Sequence, residues 1–332
     1  MVIVIAAATI ASAAGGYHLL QKVSVPGDEG WDYCFVDTVG RRLYASHGSH
    51  VVVMDVDSHA LVGKIEKTDG VHGITVARDL GRGFTSNGRS ASVTIFNLKT
   101  LETIGEVTGT GGDPDSIIYD PPTKRVFTFN KAGKNATAID AAAGKIVGSI
   151  DLGGETQFAA SDEKGHVFVD VVDRDVVVKI DSRKLAAEER WPVAPCVGPG
   201  TMAIDRKYGR LFVGCGNKLM VVLDTSNGRV ITSLPIGQGR DAAAFDTEAR
   251  LAFSSNGDGT VTVIKEESPE KYSVVENVQT APGARTMAVD SKTHKIFLPV
   301  ADRGPAPPPT AENPRPRPAL LPGTFRILIF GM

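Results

Sequence analysis

Short apolar runs, each broken off by turn-forming residues, recur along the whole chain, and nowhere is a 3.6-residue apolar period sustained. The stretch from 201 to 236 shows the arrangement well. It reads TMAID (201–205), RLFVG (210–214), LMVVLD (219–224) and VITSLPI (230–236), separated by KYGR, a Cys-Gly-Asn turn and TSNGR. Runs of this length between Gly, Asn and Ser clusters predict β-strands joined by tight turns. Only LAAEER (185–190) suggests one turn of helix.

The pattern repeats. Tyr44, Phe84, Phe127, Phe168, Phe212, Phe253 and Phe297 follow one another at spacings of 40, 43, 41, 44, 41 and 44, each inside a short hydrophobic strand such as KRVFTF or GRLFVG. Asp stands seven residues before the aromatic five times, as Asp37, Asp120, Asp205, Asp246 and Asp290, whereas unit four has Asp162 six before and unit two has Ala77. Gly70, Gly112, Gly154, Gly198, Gly239 and Gly283 close the units. Four strands every 40–45 residues is the period of a β-propeller blade, so the chain is expected to be all-β, a seven-bladed propeller with four-stranded antiparallel blades. The repeated Asp falls before a turn, where its carboxylate can accept backbone N–H bonds, and that reading is preferred to a catalytic one.

The seventh unit is interrupted. TMAVD (286–290) and KIFLPV (295–300) lead into a proline-rich insertion at 303–323, after which TFRILIFGM (324–332) supplies a third strand. The missing fourth is assigned to HLLQKVSVP (18–26), so that the N- and C-terminal strands pair in the last blade and close the ring. Proline cannot continue a ladder, and the insertion is read as a solvated surface loop in preference to a polyproline ligand for a partner.

The units resemble the YVTN family of β-propeller repeats found in YncE-like exported proteins. The matching stretches are MAIDRKYGRLFVGCGNKLMVVLDTSNGRVITSLPIGQG (202–239) and SIIYDPPTKRVFTFNKAGKNATAIDAAAGKIVGSIDLGG (116–154). The literal tetrad is absent; Tyr-Ala-Ser-His (44–47) and Phe-Thr-Ser-Asn (84–87) stand near its place. The resemblance implies a fold and says little about chemistry.

Composition sharpens this picture. The 332 residues carry 36 Lys+Arg against 38 Asp+Glu, a net charge of -2, which argues against a general nucleic-acid binder. Glycine is in excess, at 36 residues, as expected of a chain with many tight turns. Residues 1–14, MVIVIAAATIASAA, carry an apolar run and an Ala-Ser-Ala cleavage pattern. They are read as a secretory signal truncated before its basic n-region, with a buried first strand as the alternative. A periplasmic or secreted monomer comprising one propeller over 15–332 is therefore expected. No other segment is long and apolar enough to span a membrane.

In a propeller, the loop entering each innermost strand and the loop after its second strand open on one face around the central channel. The first set places Trp31, Asp32, His72, Asp113, Asp115, Gln157, Thr201, Asp241 and Arg285 there. The second contributes His47, Asn87, Asn130, Asp170, Asn217, Asn256 and Asp302. Asp32, Asp113, Asp115 and Asp241 are candidate ligands for Ca²⁺ or another divalent cation, and His47 with His72 form a second candidate pair. Cys196 and Cys215 map to the same face within unit five as a candidate disulfide; burial of all three Cys as free thiols is the alternative. No Gly-x-Ser-x-Gly, Walker, HExxH or dinucleotide pattern occurs. The expected function is binding of a small molecule, peptide or protein at the loop face. The alternative is a metal-dependent hydrolase or lactonase with a cation in the mouth, which rests on fold-level analogy with gluconolactonase-like propellers.

Overall fold

The computed structural model describes residues 16–310 and 316–332. They form seven four-stranded antiparallel sheets, each running from an innermost to an outermost strand in chain order. Blade one, for example, comprises Cys34–Asp37, Arg42–His47, His50–Asp55 and Leu61–Ile65. The last blade departs from chain order. Ala288–Asp290, Lys295–Val300 and Arg326–Gly331 are completed by His18–Ser24, which pairs antiparallel with Arg326–Gly331. Velcro closure of this kind gives both terminal strands a ladder partner and leaves neither as a free inner edge.

No α-helix occurs among the described residues, and none of their helices is long and apolar enough to cross a membrane. LAAEER, expected to allow a helical turn, instead joins the outermost strand of blade four, Ala186–Pro192. Leu185 ends the preceding turn at φ +57°, and the ladder then pairs Glu189 with Lys179 and buries Trp191, so tertiary pairing overrides the local helical preference. The apolar N-terminal run at 1–14 lies outside the described residues.

All seven repeat aromatics, Tyr44 through Phe297, are fully buried. They sit on second strands, and the cores form between neighbouring blades. Phe84 and Ile95 of blade two meet Ile117 and Val126 of blade three, for instance, and Phe212 and Met220 of blade five meet Ala252 and Ile264 of blade six. Each blade therefore depends on the next for its apolar burial, the hydrophobic effect being the main favourable contribution.

The turn from first to second strand carries a left-handed residue three positions before each aromatic: Arg41, Gly81, Lys124, Gly165, Gly209, Arg250 and His294, all at positive φ. Glycine occupies this place in three blades, where its missing Cβ makes the conformation inexpensive. The repeated Asp accepts backbone N–H bonds at the same turn, as Asp37 does from Gly40 at 2.8 Å and Asp246 from Glu248 and Ala249 at 3.0 and 2.9 Å. It also does something the sequence did not reveal, which is to bond the following blade. Asp120 accepts from Ser161 at 2.6 Å, Asp246 pairs with His294 at 2.7 Å, and Asp290 receives both terminal nitrogens of Arg41 at 2.9 and 2.8 Å.

The base of the proline-rich insertion is zipped by an Arg303–Leu320 bridge, and the Gly304 N–H donates to the Ala319 carbonyl at 2.9 Å. Arg303 lies over Trp31, and the Gly323 N–H donates to Asp28 at 2.6 Å, fixing the insertion to the start of blade one.

Candidate functional site: an acidic channel mouth

Six blades place one side chain at the loop end of the channel: Asp32, His72, Asp115, Gln157, Asp241 and Arg285; the equivalent Thr201 of blade five stays paired with Gly214 and is buried. Each stands eleven or twelve residues before its repeat aromatic. The backbone explains why these side chains are free to project. In blades two to six the ladder between first and second strands slips here, between Val71 and Ile74, Pro114 and Ile117, Thr156 and Ala159, Pro199 and Thr201, and Arg240 and Ala242. Bulges of this kind release residues from pairing and re-aim them.

Polar residues two places after the repeat aromatic bond the backbone groups that lie outside the ladder here, whether freed by a slip or placed before the first strand. Ser46 accepts the Asp32 N–H at 2.8 Å, and Ser86 accepts the Gly73 N–H at 2.9 Å while donating to the Asp115 carbonyl. Asp170 accepts from Gln157 and Phe158 N–H at 3.1 and 2.8 Å. Ser255 donates to the Arg285 carbonyl of the next blade.

A chain of charged contacts runs round part of the mouth. Arg285 pairs with Asp241 and stands 3.8 Å from Asp32 Oδ1. The other Asp32 oxygen meets His72 Nδ1 at 2.7 Å. His72 Nδ1 lies 3.9 Å from Asp115 Oδ1, and its Nε2 lies 3.6 Å from Asp113 Oδ1. Four carboxylates thus face one guanidinium and one imidazole.

Burial, then the charge of Asp32, push the Asp115 carboxyl up to about 7. Burial also raises Asp241, against the opposing pull of Arg285. For His72 burial acts downward, but the bond to Asp32 and the charges of Asp115 and Asp113 outweigh it, and its basicity is raised. Asp115 Oδ1 is sealed from solvent and accepts no hydrogen bond. A buried acceptor left in that condition costs about 1–3 kcal/mol.

Beneath the charged ring, Tyr33 of blade one reaches across the channel to Phe158 of blade four, with ring centroids 4.7 Å apart. The Tyr33 hydroxyl donates to the Gln157 carbonyl at 3.2 Å. Below this pair lies a cavity of about 450 Å³, lined by small and apolar residues including Ala159, Ala203, Ala243 and Met287. It reaches the opposite face, where Pro121, Glu163, Arg206 and Thr247 line it. Tyr33 and Phe158 were not among the expected site residues; the signal for Tyr33 was its place one step inward from Asp32.

The remaining expected residues have other surroundings. Asn87, Asn130 and Asn256 are fully buried inside their blades. Each accepts from a hydroxyl two residues earlier and donates to a Thr on the third strand, as Asn130 does with Thr128 at 3.0 Å and Thr137 at 2.9 Å. His47 is buried, stacks on Phe325 at 4.3 Å and lies 3.3 Å from His50. Trp31 is buried against Phe325, at 5.5 Å. Thr201 is buried with its hydroxyl unpaired, and Asn217 bonds the Pro195 carbonyl and the Val197 N–H. Asp302 pairs with Arg326. Cys196 and Cys215 are joined as a disulfide with Cα atoms 5.4 Å apart, and Cys34 is a free thiol.

No protein-family model matches the chain, and no curated protein matches it by sequence. Its fold is shared with solved structures. U3-55K is similar with a TM-score of 0.76 at 9% identity, over 95% of this chain and 98% of that one. The WD40 repeats of RRP9 are similar with a TM-score of 0.76 at 9% identity, over 96% and 98%. A chain of the mitotic checkpoint complex is similar with a TM-score of 0.77 at 10% identity, over 100% and 98%. At these identities the likeness concerns the fold alone. The chain is a seven-bladed β-propeller whose structural neighbours include WD40-repeat proteins.

Proposed function

We propose that this protein is an exported, YncE-like binding propeller that acts as a monomer. In this reading its channel mouth receives a cationic group of a small molecule, peptide or partner protein. The observation that carries the reading is the ring of Asp32, Asp113, Asp115 and Asp241, contacted by His72 and Arg285 with Lys131 and Arg240 acting from nearby, and holding one sealed, unpartnered carboxylate oxygen. A positive group entering there gains charge-assisted bonds in a partly desolvated setting. The apolar run at 2–10, the Ala-Ser-Ala pattern and the Cys196–Cys215 bridge support export, since disulfides persist in oxidising compartments.

Equilibrium titration with a tetralysine peptide tests the binding reading. Wild-type protein is expected to bind it, and Asp32→Asn together with Asp241→Asn should weaken binding by about tenfold or more. Binding indifferent to both substitutions would sink the reading. Chelator-sensitive turnover of simple lactones would replace it with the hydrolase alternative. Sequencing the amino terminus of the secreted chain tests export, with a start near Gly15 expected.

A further inference from the structure

Asp32, His72 and Asp115 come from three consecutive blades, and each offers one atom so that all three atoms lie within 4.8 Å of one another. Asp32 Oδ2 and His72 Nδ1 are 2.7 Å apart, and His72 Nδ1 and Asp115 Oδ1 are 3.9 Å apart. Ligands around a tetrahedral ion at ~2.0–2.1 Å are separated by roughly 3.3 Å, so small side-chain adjustments would satisfy the geometry.

The second observation is independent of this clustering. Asp115 is only 6% exposed, and its Oδ1 faces the cluster without a hydrogen-bond donor. Buried polar atoms are normally satisfied, and an orphan aimed into a set of potential ligands points to a missing partner. The outer surroundings fit as well. With Nδ1 on a metal, His72 would carry its proton on Nε2, where Asp113 Oδ1 lies 3.6 Å away. A carboxylate behind a ligating imidazole is the usual arrangement that orients it.

We propose that Asp32, His72 and Asp115 form a site for one divalent transition-metal ion of the Zn²⁺ or Mn²⁺ type, with Asp113 orienting the imidazole. Asp241 is excluded from the ligand set because Arg285 occupies it. Replacing a carboxylate by an imidazole favours a borderline ion over Ca²⁺, which takes six to eight oxygen ligands. The bound ion would add two positive charges beside carboxylates that outnumber Arg285, leaving a coordination position toward solvent for an anionic or carbonyl-bearing group. The inference rests on the mouth as the binding site but reverses the charge of the group it would take when metal is bound.

The test is calorimetric titration of chelator-dialysed full-length protein with ZnCl₂, MnCl₂ and CaCl₂. One Zn²⁺ or Mn²⁺ per chain is expected, bound at least about tenfold more tightly than Ca²⁺. Asp115→Asn and His72→Ala should each weaken binding by about 30-fold or more, and Asp113→Asn by about tenfold. Glu163→Gln, at the other end of the channel, should bind as wild type. A melting temperature that rises with Zn²⁺ in wild type and Glu163→Gln, but not in Asp115→Asn, would confirm that folded variants are being compared. Substoichiometric binding, preference for Ca²⁺, or a His72→Ala variant that binds as wild type would overturn the proposal. Titrating the same metal-free protein with tetralysine separates the two readings. Peptide binding without metal binding overturns the metal site alone, and metal binding without peptide binding overturns the cation-receiving mouth alone.

Discussion

A single position in the repeat shows how one side chain can serve two purposes. Three residues before each buried aromatic the backbone is left-handed, yet four of the seven blades place a side chain there: Arg41, Lys124, Arg250 and His294. An L-residue in this conformation costs about 1 kcal/mol. Arg41 repays that cost through its twofold bond to the fully buried Asp290 carboxylate, and His294 bonds Asp246. Lys124 is exposed. Lys124→Gly is therefore expected to be neutral or to stabilise by up to about 1 kcal/mol, the relieved strain being partly offset by the greater freedom of unfolded glycine. Arg41→Gly relieves the same strain but strands a buried charge, and should destabilise by about 3 kcal/mol in urea unfolding. Equal effects of the two substitutions would refute the blade-latching role of Arg41. Asp170 offers a second residue-level test. Burial pushes its carboxyl up to about 7, against the two amide bonds and the charge of Arg240. Because the folded value lies above the unfolded one near 3.9, its folded state holds the proton more firmly. Its contribution to stability is fully present below about pH 4 and is lost as pH rises through about 7. Asp170→Asn keeps an acceptor for Gln157 and Phe158, and should flatten the decline in urea midpoint between pH 5 and 8 relative to wild type.

At the scale of the strand, the ladder slips are as informative as the ladders. The innermost strands of five blades lose register at the channel mouth, which frees His72, Asp115, Gln157 and Asp241 from their ladders. The third and fourth strands of blades one to six slip as well, for example between Val53 and Met54 and between Ile95 and Phe96. The terminal strands contribute differently. His18–Ser24 is largely exposed, whereas Arg326–Gly331 is buried apart from its first residue and sits between two partners. Removing 324–332 would take away an interior strand, strip His18–Ser24 of its ladder and open the blade-seven core at Ile329 and Phe330. That truncation should unfold at markedly lower urea than the full chain or fail to fold, and an unchanged midpoint would contradict closure of the ring by the two termini.

Over the whole molecule, apolar clusters lie between blades and the acidic latches cross from blade to blade, so the ring has no blade with a core of its own. Cooperative unfolding follows. Trp31 reports on the junction of blades seven and one, where it packs with Phe325, and Trp191 on the junction of blades four and five. Single-Trp variants, Trp31→Phe and Trp191→Phe, should each display one unfolding transition by fluorescence that coincides with the circular-dichroism transition of the same variant. A fluorescence transition that precedes the loss of sheet would show that the ring opens locally. Two faces also emerge at this scale: an acidic loop face, and a face of turns onto which the 450 Å³ cavity reaches, with Tyr33 and Phe158 between them.

The aromatic period, the turn residues and the interrupted seventh unit were enough to reveal seven four-stranded blades and the pairing of the two termini. They suffice because strand length, turn chemistry and repetition are local properties written at regular intervals. The mouth positions were also legible, since Asp32, His72, Asp115, Asp241 and Arg285 recur at one phase of the repeat. Their partners were not. Which residue meets which depends on neighbouring blades brought together across 40 or more residues, as with His72 and Asp32 or Arg285 and Asp241. Asn87, Asn130 and Asn256 share the loop face in sequence yet bond within their own blades, because the end of a second strand lies behind the bulged innermost strand. Tyr33 closing the channel over Phe158 likewise joins blades one and four, which only the closed ring sets face to face. Sequence determined the repeat and its phase; the curvature that closes seven blades into a ring decided which charges meet, which are buried and where a ligand can enter.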